Sequence, residues 1–158
     1  MFGDNEMREK AEECQKKGWI KAWFAIEVMA RDSETAESSL RNHVESMEKA
    51  KDMFIFEKKF GDIQRIENPM RDIKEAHSQI VELTAYLKDF YTLINIVVAY
   101  GPSSIEILEP KEYKLRIDEM QSLSNVIAGL LHQFASAGVG GMVITPPKKP
   151  QPAQQTEL

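Results

Sequence analysis

The sequence predicts an α+β sandwich in which strands and helices follow the order βαββαβ, with one further helix at the C-terminal end. Three observations predict it. Residues 19–30 alternate between apolar and mixed positions, the period of a strand with one buried face. Residues 89–110 read as helix, Gly-Pro stop and strand, with a start or stop signal at each junction. Strand–helix–strand occurs twice along the chain.

Taken in order, Asp4 to Lys17 is rich in Glu, Lys and Arg. It carries too little apolar surface to hold a helix in place, so residues 1–18 are expected as a mobile arm ended by Gly18. In the first strand Ile20, Ala22, Phe24, Ile26, Val28 and Ala30 line one face, and Trp19, Lys21, Trp23, Ala25, Glu27 and Met29 the other. Asp32 and Ser33 then cap a helix with Glu34 in its first turn. Ala36, Leu40, Val44 and Met47 form its apolar stripe, and it ends near Ala50.

Met53 to Phe60 is the second strand, with Gly61 as a bend before Ile63 and Ile66 continue it, and Asn68-Pro69 as a turn. Gln79 to Lys88 alternates again, with Val81, Leu83, Ala85 and Leu87 on one face. Glu, Leu, Ala and Lys also suit a helix, but the alternation favours a third strand. Asp89 caps a second helix carrying Phe90, Leu93, Ile94, Val97 and Val98, closed by Gly101 and Pro102. Ser104 to Glu109 is the fourth strand, with Ile105 and Ile107 inward and Pro110 at its end.

Two such split units share one antiparallel sheet with both helices on one face, a ferredoxin-like arrangement over residues 19–110. Right-handed crossovers place the first and third strands at its centre. Residues 111–144 add a loop, a helix and an edge strand near residues 140–144. Asp118 is expected to cap that helix with Gln121 completing a capping box, and Leu123, Val126, Ile127, Leu130, Leu131 and Phe134 form its stripe. Residues 145–158, rich in Pro, Lys and Gln, read as a disordered tail.

The run Leu93 to Pro110, LINIVVAYGPSSIEILEP, resembles the end of the C-terminal extension of WYL-domain transcriptional regulators. The shared pattern is an apolar helix, an aromatic residue and Gly, then an alternating strand closing in Leu-Glu-Pro. The resemblance implies a regulatory or assembly module and a ferredoxin-like fold. It carries over no functional residue, since neither a helix-turn-helix nor a WYL domain accompanies the run.

Composition excludes several functions. The 158 residues make one domain. A net charge of −5 argues against nucleic acid as partner, because binders of its backbone concentrate Lys and Arg. The third strand also lacks the Gly and Phe pattern of RNA-binding sheets. One cysteine, Cys14, permits no internal disulfide and fits a reducing compartment. No apolar run suits a signal peptide or a membrane span, so the chain is read as cytoplasmic. His43, His77 and His132 lie far apart in no metal-ligand spacing. Ser103-Ser104 form no nucleophile elbow, and the glycines at 138, 140 and 141 follow a helix instead of opening one. No metal, cofactor or catalytic residue is indicated.

What remains is the sheet face that the helices leave bare. It presents Trp19, Trp23, Glu27 and Met29 from the first strand, Ile80, Glu82, Thr84 and Tyr86 from the third, and Glu106 from the fourth. So aromatic a surface marks an interface or a ligand site. The sequence is therefore read as a non-catalytic binding or regulatory module. It self-associates through this face as a homodimer or higher oligomer, with Trp19, Trp23, Glu27, Glu82, Tyr86 and Glu106 in contact. A small-molecule sensor or enzyme using the carboxylates of Glu27, Glu82 and Glu106 beside Trp23 and Tyr86 is the alternative. The last helix folding back over the face within one molecule is a further way to cover it.

Overall fold

A computed structural model describes residues 3–138 of the chain. The expected edge strand near residues 140–144 and the tail from residue 145 lie outside them. The elements are α1 (Asp4–Lys16), β1 (Ile20–Ala30), α2 (Ser33–Glu48), β2 (Met53–Phe60), β3 (Gln64–Met70), β4 (Ile73–Leu87), α3 (Phe90–Tyr100), β5 (Ser104–Glu109) and α4 (Ile117–Ser136). The fold is α+β, and the chain divides into two compact units after Leu123. The sheet lies wholly in the first.

All strand pairs are antiparallel, and β1 and β4 hold the centre of the order β2-β4-β1-β5. The long pairing of β1 with β4 runs from Ile20 opposite Leu87 to Ala30 opposite His77. One face of this pair is the core. Ile20, Ala22, Phe24 and Ile26 of β1 and Val81, Leu83, Ala85 and Leu87 of β4 are buried with Leu40, Val44 and Met47 of α2 and Leu93 and Ile96 of α3. The period-two and period-3.6 patterns thus meet in one layer of helices on one layer of sheet.

Asp32 accepts a hydrogen bond from the Thr35 backbone N–H at 2.8 Å, and Asp89 accepts one from that of Thr92 at 2.8 Å, so both expected caps form. Gly101 takes the left-handed conformation at φ 55° and donates to the Val97 carbonyl, which a side chain would strain.

Four features depart from the sequence reading. Residues 64–70, expected to extend the second strand and turn at Asn68-Pro69, form a separate strand that folds back on an N-terminal extension of β4. β2 pairs with Val81–Leu87 and β3 with Ile73–Ser78, so the two share one edge of β4 in succession. The break between them falls at Gly61, where the backbone passes so close to β4 that a Cβ would lie 3.3 Å from the Ile80 carbonyl oxygen.

Residues 4–16, expected as a mobile arm, form helix α1 with Ala11 and Cys14 buried. The apolar surface it lacks is supplied by the sheet. Helix α4 starts at Ile117, one residue before its expected cap at Asp118, and Glu119 accepts a hydrogen bond from the Arg116 N–H at 3.0 Å. That reach of a third-position Glu back to the preceding backbone is half of a capping box, set two residues earlier than the sequence suggested. Ile105 and Ile107, expected inward, are partly exposed on the edge strand β5.

Candidate functional site

The second face of the sheet is split in two. At one end α1 lies on it, and Ala11 and Cys14 are buried with Phe54 of β2 and Tyr86 of β4, while Met7, Trp19 and Phe56 close the margin. The Phe54 and Tyr86 rings stack at 6.4 Å, and Phe56 meets Tyr86 edge-on at 6.3 Å. Lys10 of α1 caps the Phe54 ring at 4.5 Å, and Gln15 donates to Glu109 at 2.6 Å, tying the helix to the end of β5. Burial pushes the Cys14 thiol above its ordinary range.

Within the first unit, no helix covers the other end. There Glu27, Lys59, Gly61, Asp62, Gln64, Ile66, Ser78, Ile80 and Glu82 line a hollow of about 430 Å³. A smaller hollow of about 170 Å³, lined by Trp23, Glu57, Lys59, Glu82 and Thr84, adjoins it through the shared Lys59 and Glu82. Within this groove the Ser78 hydroxyl donates to the Glu27 carboxylate, fixing it from a buried position. Lys59 stands opposite Glu82 in the strand register. Four carboxylates, Glu27, Glu57, Asp62 and Glu82, therefore line these hollows with one lysine, an indole and two isoleucines. The lining of the groove carries a net negative charge.

A larger hollow of about 510 Å³ runs between α1 and β2, but its acidic and basic side chains balance, and Lys58 is paired with Glu48 there. It offers no comparable polarity.

The six residues singled out from the sequence are dispersed by this arrangement. Trp23, Glu27 and Glu82 reach the bare groove. Tyr86 does not: it is 3% exposed, beneath α1. Trp19 lies half-buried at the margin of the same covered end. Glu106 is exposed on β5 opposite Trp23, with β1 between it and β4. Adjacent strands are about 4.8 Å apart, so β4 and β5 are separated by roughly 10 Å. Glu27 and Glu82 are diagonal neighbours at roughly 7–8 Å. The three glutamates thus do not converge, and among the described residues no group of three or more His, Cys, Asp or Glu is placed to hold a metal ion. Glu57, Lys59 and Asp62 were missed by the sequence reading. Only the bulge between Ile55 and Glu57 turns Glu57 and Lys59 onto this face, and no sequence pattern announces it.

Two of the three histidines serve structural roles. His43 Nε2 lies 2.9 Å from the Tyr100 carbonyl and its ring meets Tyr100 edge-on, joining α2 to α3. His77 Nδ1 lies 3.3 Å from the Arg31 carbonyl. No helix among the described residues is long and apolar enough to cross a membrane.

The fold and groove define an α+β protein with a half-covered antiparallel sheet and an acidic, tryptophan-bearing surface. The chain matches the MJ0538 family over residues 21–154 and belongs to that family. No curated protein and no solved structure matches it.

Proposed function

We propose that this protein is a non-catalytic binding module on a ferredoxin-like frame, and that its bare half-face takes a ligand or peptide bearing an amine or guanidinium. The frame is supported by the strand order. With β3 set aside as an insertion, β2-β4-β1-β5 reads second, third, first, fourth, the ferredoxin-like succession. The likeness of residues 93–110 to the extension of WYL-domain regulators is in keeping with a regulatory role. The lone Cys14 is in keeping with a cytoplasmic one.

The observation that carries the binding reading is the groove itself: a cavity with Trp23 at one end, Ile80 on its floor and carboxylates in excess of lysine. An indole face beside carboxylates attracts a cation both electrostatically and through the ring quadrupole. The non-catalytic reading is supported by the separate, structural placement of His43 and His77 and the burial of the Cys14 thiol.

A second reading, self-association through this face, is favoured by the exposure of Met29 (45%) and Ile80 (44%). Charge opposes it. A two-fold interface sets the same patch against itself, so the carboxylates of Glu27, Glu57, Glu82 and Glu106 would face an equally acidic patch.

Tryptophan fluorescence during titration with spermidine, and separately with a lysine-rich peptide, tests the reading. The expected result is saturable quenching that salt suppresses and that Glu27→Gln and Glu82→Gln weaken about tenfold together. No response in the unaltered protein, or an equal response in the variants, removes it.

A further inference from the structure

We infer that Glu27 is the anchor for the cationic guest of the groove, that Ser78 is the residue positioning it, and that strand β3 makes this possible by burying Ser78. The inference rests on the ligand-binding reading and deepens it by ranking the carboxylates. The four are not equivalent. Glu27 accepts a hydrogen bond from the Ser78 hydroxyl. Glu57, Asp62 and Glu82 have no hydrogen bond or ion pair among the described residues. A glutamate free to rotate loses rotamer freedom when a ligand fixes it, and one already held loses less. All four attract a cation, but only Glu27 is oriented beforehand.

Ser78 is suited to this task. It lines the hollow and yet is only 3% exposed. In the register it lies between Met29 of β1 and Gln64 of β3. β4 is thus paired on both sides at this point, and water has little access to compete for the hydroxyl. β2 does not reach so far, since its pairing with β4 ends at Phe60 opposite Val81. Without β3, one side of Ser78 would be an open sheet edge. The strand that imposes no alternation on the sequence therefore completes the site, and it also supplies Gln64 and Ile66 to the wall.

The register separates Glu27 from Glu82 in charge as well. Lys59 stands directly opposite Glu82, whereas β4 lies between Lys59 and Glu27. Two strands apart is roughly 10 Å, so the lysine offsets Glu82 far more than Glu27. Glu27 stands opposite the exposed Ile80, so a charged head held at Glu27 lays its methylene stem on that side chain.

Calorimetric titration of the full chain with spermidine, repeated at several salt concentrations, tests the inference. Ser78→Ala should weaken binding about threefold while leaving its salt dependence unchanged, because no charge is removed. Ser78→Thr, which keeps the hydroxyl, should recover most of the loss. Glu27→Gln should weaken binding and flatten the salt dependence together. In the Glu27→Gln background Ser78→Ala should have no further effect, whereas in the Glu82→Gln background its effect should persist. Unaltered affinity in Ser78→Ala overturns the inference and leaves the groove reading standing. So does a loss that Ser78→Ala still causes in the Glu27→Gln background. No binding by the unaltered protein removes both.

Discussion

Replacing Tyr86 with alanine should release α1 from the sheet, and Cys14 reports the event. Tyr86 is almost fully buried between the Phe54 and Phe56 rings and the buried face of α1. Removing a large buried aromatic side chain costs about 3–5 kcal/mol, because its contacts are lost and the cavity closes only in part. If about 3 kcal/mol of that loss falls on the docking of α1, the open population rises about 150-fold, at 1.36 kcal/mol per factor of ten. Cys14 is buried against the same cluster and its thiol is pushed up by burial, so it reacts with a thiol reagent only when α1 lifts or the chain unfolds. Labelling of Cys14 under native conditions should therefore accelerate by about two orders of magnitude in Tyr86→Ala. Met29→Ala, on the bare end of the same face, should leave the rate near that of the unaltered protein. Equal labelling rates in Tyr86→Ala and the unaltered chain would show that α1 is not held by this cluster. Rapid labelling of the unaltered chain would refute the docking altogether.

Two further outcomes are expected. Hydrogen bonds from the Thr35 backbone N–H and hydroxyl hold the Asp32 carboxyl below the usual carboxylate range. Because the folded value is depressed, the cap stabilises α2 fully above the unfolded pKa of about 3.9 and loses that effect as pH falls through the folded value. Thermal midpoints should thus fall with acid more steeply in the unaltered protein than in Asp32→Asn, which keeps an acceptor without the charge; parallel acid limbs would contradict this. Gly101→Ala should destabilise the fold by about 1–2 kcal/mol in urea unfolding, since Gly101 sits at φ 55°, and a gain in stability would contradict the left-handed stop.

The parts of this fold that the sequence announces are those whose burial has a period. Phe24 to Ile26 and Val81 to Leu87 alternate because one face meets α2 and α3, and Asp32, Asp89 and Gly101 mark the helix ends by their own backbone chemistry. β3 is silent for the converse reason. Its residues are mostly exposed on both faces, so no alternation is imposed, and Asn68-Pro69 reads as a turn although the chain passes through it as an irregular strand with Asn68 at φ 50°. Helix α1 is silent because its contacts are asymmetric. It contributes Ala11 and Cys14, two small side chains, and the ring surface comes from Phe54 and Tyr86 many residues away. Pattern reading scores a segment by what it carries, and here the apolar surface is on the receiving side.

The reach of α1 also explains the chemistry of what it leaves uncovered. A helix of 13 residues is about 20 Å long, whereas β4, with 15 residues, extends for about 50 Å. Whatever its direction, α1 can shelter only part of that strand. Along β4 the side chains on this face run Tyr86, Thr84, Glu82, Ile80 and Ser78, so polarity rises where the cover ends. Across β2 the same change runs from Phe54 and Phe56 to Glu57 and Lys59. Were the bare end simply solvated, it would be polar throughout. It is not: Ile80 is 44% exposed opposite Glu27, Met29 is its diagonal neighbour, and Trp23 stands further along β1 opposite Thr84. Apolar side chains set singly within an acidic groove are too few to drive association of two copies and well suited to the aliphatic stem of a lysine or arginine whose charged head meets Glu27 or Glu82. The composition of the uncovered half is thus in keeping with the cationic guest proposed above.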